Sequence, residues 1–240
     1  MAYKETHNRF TDWWMRLVIW REHHIKERTF VIFLALVVGI LCGFAAQLLK
    51  YLISHISGWL TSNFSITDAN YLYLVYPVAG IILTVLFVKY VVKDNISHGV
   101  TKVLYAISRN KSRLKRKNMY ASLVASSITI GFGGSVGAEG PIVYTGAAIG
   151  SNVGQAFRLS PKILMLLVGC GAAAGIAGIF RAPIAGMLFT IEVLMIDFTG
   201  MTIMPLLISS ISAATVAYVL EGYGSEFFFS QSEAFHTGKI

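Results

Sequence analysis

Charge is scarce in this chain. Asp, Glu, Lys and Arg make up only 13% of the 240 residues, against 55% hydrophobic residues. That shortage excludes an ordinary soluble domain and points to an all-α, multi-pass membrane protein of the cell or inner membrane. There are two cysteines, Cys42 and Cys170, each inside an apolar stretch, so no disulfide framework or thiolate metal site is expected. No paired-histidine spacing, nucleophile–base arrangement or phosphate-binding loop is present, which argues against an enzyme, a metal or a cofactor. Nor does a short apolar core followed by small residues open the chain, so the N-terminal stretch is not expected to be a signal peptide.

The charge that exists is unevenly placed. Fourteen of the twenty Lys and Arg fall in residues 1–28 and 93–117, and the formal net charge is +8. Neither run carries a nucleic-acid-binding motif, so no nucleic-acid partner is expected. In a membrane chain, basic segments mark the cytoplasmic side, which puts the N-terminus there. Residues 1–28 mix Trp13, Trp14 and Trp20 with Arg9, Arg16 and Arg21, the pattern of an interfacial amphipathic helix. His23 and His24 are adjacent and point apart on a helix, a poor metal pair.

Spanning segments follow over Phe30 to Trp59 and Tyr71 to Val92, joined by a polar outer loop from Asn63 to Asn70. Val100, Val103, Leu104 and Ile107 have helical spacing in a helix too short to cross. Ser97 stands where that helix would begin, and an ordinary N-cap is the plainest reading of it. Met119 to Phe132 is apolar but short, and runs into Gly133-Gly134-Ser135-Val136-Gly137-Ala138-Glu139-Gly140-Pro141. This glycine-rich break predicts one helix stopping near the membrane midplane and another starting there, at about Glu139. Irregular backbone at that depth must be buried in protein or line a cavity. The first amides of the new helix lack intrahelical partners and attract anions, and Glu139 brings a carboxylate to the same place.

Gly146, Gly150 and Gly154 then recur at four-residue spacing, a face for close helix packing. Ser160 and Pro161 open a helix of small residues to Phe180. A second break, Phe180-Arg181-Ala182-Pro183, opens a helix expected to end at Asp197. Glu192 inside it is either functional or held by a structural partner such as Arg181. A last apolar helix covers about Met201 to Leu220, and residues 222–240 read as a linker or truncated tail.

Three of these runs together resemble the CLC family of chloride channels and proton-coupled anion exchangers. Gly137-Ala138-Glu139-Gly140-Pro141 resembles the family's Gly-Arg/Lys-Glu-Gly-Pro motif. Ala182-Pro183-Ile184-Ala185-Gly186-Met187-Leu188-Phe189-Thr190-Ile191-Glu192 is similar to its Ala-Pro-Leu-Ala-Gly-x-Leu-Phe-x-x-Glu run, and Gly171 to Gly175 to its small-residue helix. The resemblance implies tilted, broken transmembrane helices over 29–221, forming the first half of an inverted-repeat fold. It implies that Glu139 is the gating glutamate and that backbone amides of Ala138, Glu139 and Gly140 bind the transported anion, chloride or a relative. It also implies that Ser97 matches the serine of a Gly-Ser-Gly-Ile-Pro stretch, here Ile96-Ser97-His98-Gly99-Val100.

Departures from the pattern carry information. Ala138 replaces the usual base before the gating glutamate. Val193 stands where proton-coupled members carry the glutamate that relays protons, and a valine cannot hold one; this favours passive, channel-like conduction over coupled exchange. The elements of a second half, a Gly-x-Phe-x-Pro stretch and a pore tyrosine, have no counterpart here. A complete pore is therefore expected to need a second half, from a longer product or a partner chain; failing that, the chain is an assembly subunit without transport. The family also implies homodimers, through the helices at about 183–197 and 201–220, and lipid as the surrounding medium.

Overall fold

The computed structural model describes residues 27–61, 72–92, 99–195 and 199–221. Residues 1–26 of the expected interfacial helix, the loop from Asn63 to Asn70, Ser97, Asp197 and the 222–240 tail lie outside those ranges. All regular structure among the described residues is helical. In chain order it is α1 (Glu27–Thr61), α2 (Leu72–Phe87, continuing as the π-helical turn Val88–Val92), α3 (Gly99–Arg109) and α4 (Asn118–Gly131), then α5 (Glu139–Ala156), α6 (Pro161–Phe180), α7 (Pro183–Leu194) and α8 (Gly200–Glu221).

Four stretches are long and apolar enough to cross a membrane: Glu27–Leu60, Val75–Val92, Pro161–Phe180 and Gly200–Glu221. The apolar helices α4 and α7 are not. Their 14 and 12 residues reach only about 21 and 18 Å, against a hydrocarbon core of about 30 Å. Both expected breaks therefore appear. The last helix before Asp197 stops earlier than expected, at Leu194, because Met195 turns left-handed at φ 51° and ψ 40°. A left-handed methionine leaves no glycine signal in the sequence.

α6 is the axis of the assembly, with 14 of its 20 residues buried. Its small side chains let every neighbour come close. A Cβ on Gly186 of α7 would lie 2.5 Å from the Ala173 carbonyl, and one on Gly178 would lie 2.9 Å from the Ala46 Cβ of α1. Ser209 of α8 donates a 3.1 Å hydrogen bond to the Cys170 carbonyl. The α1–α8 contact uses a second small-residue face, in which a Cβ on Gly43 would lie 2.9 Å from the Ala213 carbonyl.

The ends of these helices define two poles. Arg28, Ile163, Leu166, Thr199, Gly200 and Met201 line one groove, so α1, α6 and α8 all start at one pole. At the other, the Glu221 carboxylate pairs with Lys50 at 3.2 Å and with Arg181, joining the far parts of the same three helices. α5 runs the opposite way: Phe157, just past its last residue, stacks edge-on against Phe30 near the start of α1, with centroids 5.3 Å apart.

Candidate functional site

The break before α5 is built by local geometry. Phe132 N–H reaches back to Ile128 at 3.1 Å, Gly133 to Ile130 at 2.9 Å and Gly134 to Thr129 at 2.9 Å, which closes α4. Gly133 adopts φ +86°, a conformation that side chains resist. α5 then begins at Glu139, after Ala138 with φ −78° and ψ −12°, and no side chain caps it. α4, α6 and α7 lack a side-chain cap as well; what marks α5 is the carboxylate beside its first amides, at the positive end of the helix dipole.

The five motif residues Gly137, Ala138, Glu139, Gly140 and Pro141 are contiguous at this turn. Glu139 is exposed, and its side chain doubles back over its own backbone. A Cβ on Gly137 would collide with the Glu139 Oε2 and lie 3.1 Å from its carboxyl carbon. Glycine at 137 is thus what lets the carboxylate occupy that spot. Beside it, a Cβ on Gly140 would meet nothing within 4 Å, so the first turn has open space on one flank.

A second helix start converges on the same turn. A Cβ on Gly99, the first residue of α3, would lie 2.5 Å from the Gly140 carbonyl and 3.2 Å from the Tyr144 Cβ. The start of α3 is therefore packed directly against the first turn of α5. Lys102, one turn further along α3, lies over the Tyr144 ring, with its Nζ 5.9 Å from the centroid. The sequence offered a signal for this contact only in the glycine itself, since no turn or positive φ demands one at position 99.

The second break places its residues elsewhere. Pro183 opens α7 after Arg181 ends α6 in the left-handed region, at φ 53° and ψ 29°. Glu192 is exposed, on one stripe of α7 with Ile184, Leu188 and Met195. Arg181 does not partner it; the guanidinium pairs with Glu221 and lies over the Tyr218 ring at 5.3 Å. Val193 is half-buried, packed on the core cluster that holds Val103, Ile142, Tyr144 and Leu194. Among the described residues, no group of three or more His, Cys, Asp or Glu could hold a metal.

Comparison with known proteins bears on the family and the fold. The family model for voltage gated chloride channels matches residues 79–240. A ClcB-like chloride channel protein of Ralstonia nicotianae is 34% identical over 156 residues, which cover 63% of this chain and 36% of that protein. A CLC-type fluoride/proton antiporter of known structure superposes with TM-score 0.67 at 32% identity, covering 80% of this chain and 47% of that one. A slow cyanobacterial chloride/proton antiporter shares the fold with TM-score 0.69 at 21% identity, covering 84% and 48%. This chain thus spans between about a third and a half of the length of the proteins it matches. Its helices form an all-α membrane protein with the broken-helix architecture of one half of such a fold. The chain belongs to the voltage-gated chloride channel (CLC) family.

Proposed function

We propose that this chain contributes the gated half of an anion pathway, with Glu139 as the gate and chloride or a related halide as cargo. One observation carries the reading: the Glu139 carboxylate doubles back over Gly137 at the uncapped amide end of α5, beside the start of α3. A carboxylate and a small anion compete for the same donors there. Ionised and docked, Glu139 blocks the site; protonated, or displaced by an anion, it leaves and the path opens. Backbone amides of Ala138, Glu139 and Gly140 hold the anion in its place.

The role matched to Ser97 has two registers. One gives the serine hydroxyl to the anion. The other aligns Gly99, which has no room for a Cβ against Gly140, with the second glycine of Gly-Ser-Gly-Ile-Pro and hands the serine position to His98. Ser97→Ala and His98→Ala, compared for chloride affinity, separate the two.

Passive conduction is the favoured mode, because Val193 offers no proton site on α7. A coupled mode has support from the 32% identity to a fluoride/proton antiporter. The two differ in one measurement: a chloride or fluoride gradient that drives protons uphill in proteoliposomes establishes coupling, and its absence establishes a channel. The pole holding Arg28, Arg158 and Lys162 faces the cytoplasm in this reading, consistent with the positive-inside rule. The exposed stripes of α7 and α8 are the proposed homodimer surface, and the reading includes no enzymatic step and no cofactor.

The deciding experiment is anion efflux from proteoliposomes. Wild-type flux rises as pH falls, because protonation removes the charge that holds the carboxyl on the amides. Glu139→Ala raises flux and flattens that pH dependence. Flux in the alanine variant that keeps the wild-type pH dependence refutes the gate.

A further inference from the structure

The loop between α3 and α4 is absorbed by none of the chemistry above. Six of the nine residues from Arg109 to Lys117 are Lys or Arg, and no Asp or Glu occurs from 95 to 138. Such a run is ordinarily a floppy, solvated tract, but here it is pinned. Ser112 and Leu114 are buried, at 2% and 7% exposure, while Lys111, Arg113, Lys115, Arg116 and Lys117 all point outward.

The pins are hydrogen bonds to the last turns of α5. Ser151 Oγ donates to the Ser112 carbonyl at 2.7 Å and accepts from the Leu114 N–H at 2.9 Å. Gln155 Nε2 donates to the Leu114 carbonyl at 3.2 Å and to Ser151 Oγ at 2.9 Å. The Ser112 N–H donates to the Ala106 carbonyl at 2.8 Å, and Lys111 and Ser112 take left-handed φ values of 48° and 60°. Two adjacent non-glycine residues in that region hold only where the surroundings over-determine them. The result is a rigid platform that displays cations in a set arrangement.

Its place in the fold identifies the partner. Ser151 and Gln155 lie at the end of α5 whose next residue, Phe157, stacks on Phe30, so the loop sits at the pole where α1, α6 and α8 enter their apolar spans. Tyr105 and Tyr120, 63% and 55% exposed, flank the platform on α3 and α4. Amphipathic rings at that level mark the headgroup layer.

We infer that this platform docks the headgroups of anionic phospholipids in the leaflet facing that pole. The inference rests on the membrane reading and not on the gate, so Glu139→Ala leaves it untouched. Basic residues near an anionic leaflet contribute about 1 kcal/mol each, and a preset arrangement lowers the ordering penalty of binding.

The test is fluorescence anisotropy of short-chain phosphatidylglycerol and phosphatidylcholine probes with the full chain in neutral detergent. Wild type binds phosphatidylglycerol at least about tenfold more tightly than phosphatidylcholine, and the preference shrinks at high salt. K111Q/R113Q/R116Q/K117Q abolishes that preference, and the milder pair K111Q/R113Q lowers it by up to about thirtyfold. Ser151→Ala keeps every charge but removes the two pins made by the Ser151 hydroxyl, and weakens binding by about threefold. Circular dichroism checks that each variant folds. Equal binding of the two lipids, or unchanged binding in both charge variants, overturns the proposal. So does displacement by inorganic phosphate as effective as by phosphatidylglycerol, which makes the site a free-phosphate site. Tighter binding of a short oligonucleotide than of phosphatidylglycerol at the same salt makes it a nucleic-acid surface instead.

Discussion

Gly146→Ala is the substitution for which the structure sets a definite sign. In an ordinary helix, alanine in place of glycine stabilises by about 0.5–1 kcal/mol, because glycine loses more backbone freedom on folding. Gly146 is not in an ordinary position. A Cβ there would collide with the Gly171 carbonyl oxygen and lie 2.8 Å from its carbon, whereas ordinary contact begins near 3.4 Å. The relation is reciprocal: a Cβ on Gly171 would lie 2.6 Å from the Gly146 carbonyl carbon. Relief requires α5 and α6 to part by at least the 0.6 Å between 3.4 and 2.8 Å. A gap of that order forfeits a quarter or more of the dispersion along the whole seam, and overpacking of this kind costs about 1–3 kcal/mol. Net of the helix gain, Gly146→Ala destabilises by up to about 2.5 kcal/mol. Gly58→Ala is the matched control: its Cβ would meet nothing within 4 Å, so it stabilises by about 0.5–1 kcal/mol. The double variant Gly146→Ala/Gly171→Ala costs less than the sum of the singles, since helices already parted have room for the second methyl. SDS titration of the detergent-solubilised protein, followed by tryptophan fluorescence, measures all four. If Gly146→Ala unfolds at or beyond the wild-type midpoint while Gly58→Ala gains stability, the backbone contact between α5 and α6 is wrong.

Three further outcomes follow from the same geometry. Glu221→Gln leaves Arg181 and Lys50 facing each other without their shared carboxylate; it lowers the thermal midpoint in detergent by the equivalent of about 1–2 kcal/mol, discounted for partial exposure. The loss is larger at low salt, and Lys50→Gln in the Glu221→Gln background adds little further. Val193→Glu places a carboxyl at a half-buried site on α7 and leaves Glu139 and the α5 amides in place, so chloride efflux persists in the variant. Gly137→Ala denies the Glu139 carboxylate its place over residue 137, so it raises flux and blunts the acid response in efflux assays without removing the carboxyl.

What could be read from the residues was local. Gly133 to Pro141 and Phe180 to Pro183 announce their breaks because glycine and proline act on their own backbone, and the structure begins α5 at Glu139 and α7 at Pro183. The four-residue spacing of Gly146, Gly150 and Gly154 is equally local, and all three meet α6. What the residues did not disclose depends on partners distant in the chain. Arg181 and Glu221 are forty positions apart, and Arg181 has Glu192 much nearer in sequence; only the parallel course of α6 and α8 pairs it with Glu221. Gly39 and Gly43, where a Cβ would run into Ser209 and Ala213 of α8, carry no signal of their own inside a long apolar helix. At Met195, the left-handed turn that ends α7 falls on an exposed methionine, with no glycine in the sequence to announce it.

The exposed side of the α5 turn bears on how such a gate could select. Amide donors replace only part of an anion's hydration shell, and those of one helix start cover only one side of it. Gly140 has nothing within 4 Å of where a Cβ would point, while Gly99 closes the flank nearest α3. An anion held here would keep water on its open side, and hydrated anions of different size are poorly distinguished. Selectivity therefore requires further donors on that flank, such as those of a second repeat. In the proposed gate, chloride against fluoride preference belongs to whatever closes the open side, while gating belongs to the turn that α3 and α5 share. Replacing residues on α3 and α5 should then shift gating more than ion preference, and a Glu139 or Gly137 variant that changed selectivity without changing pH dependence would break that division of labour.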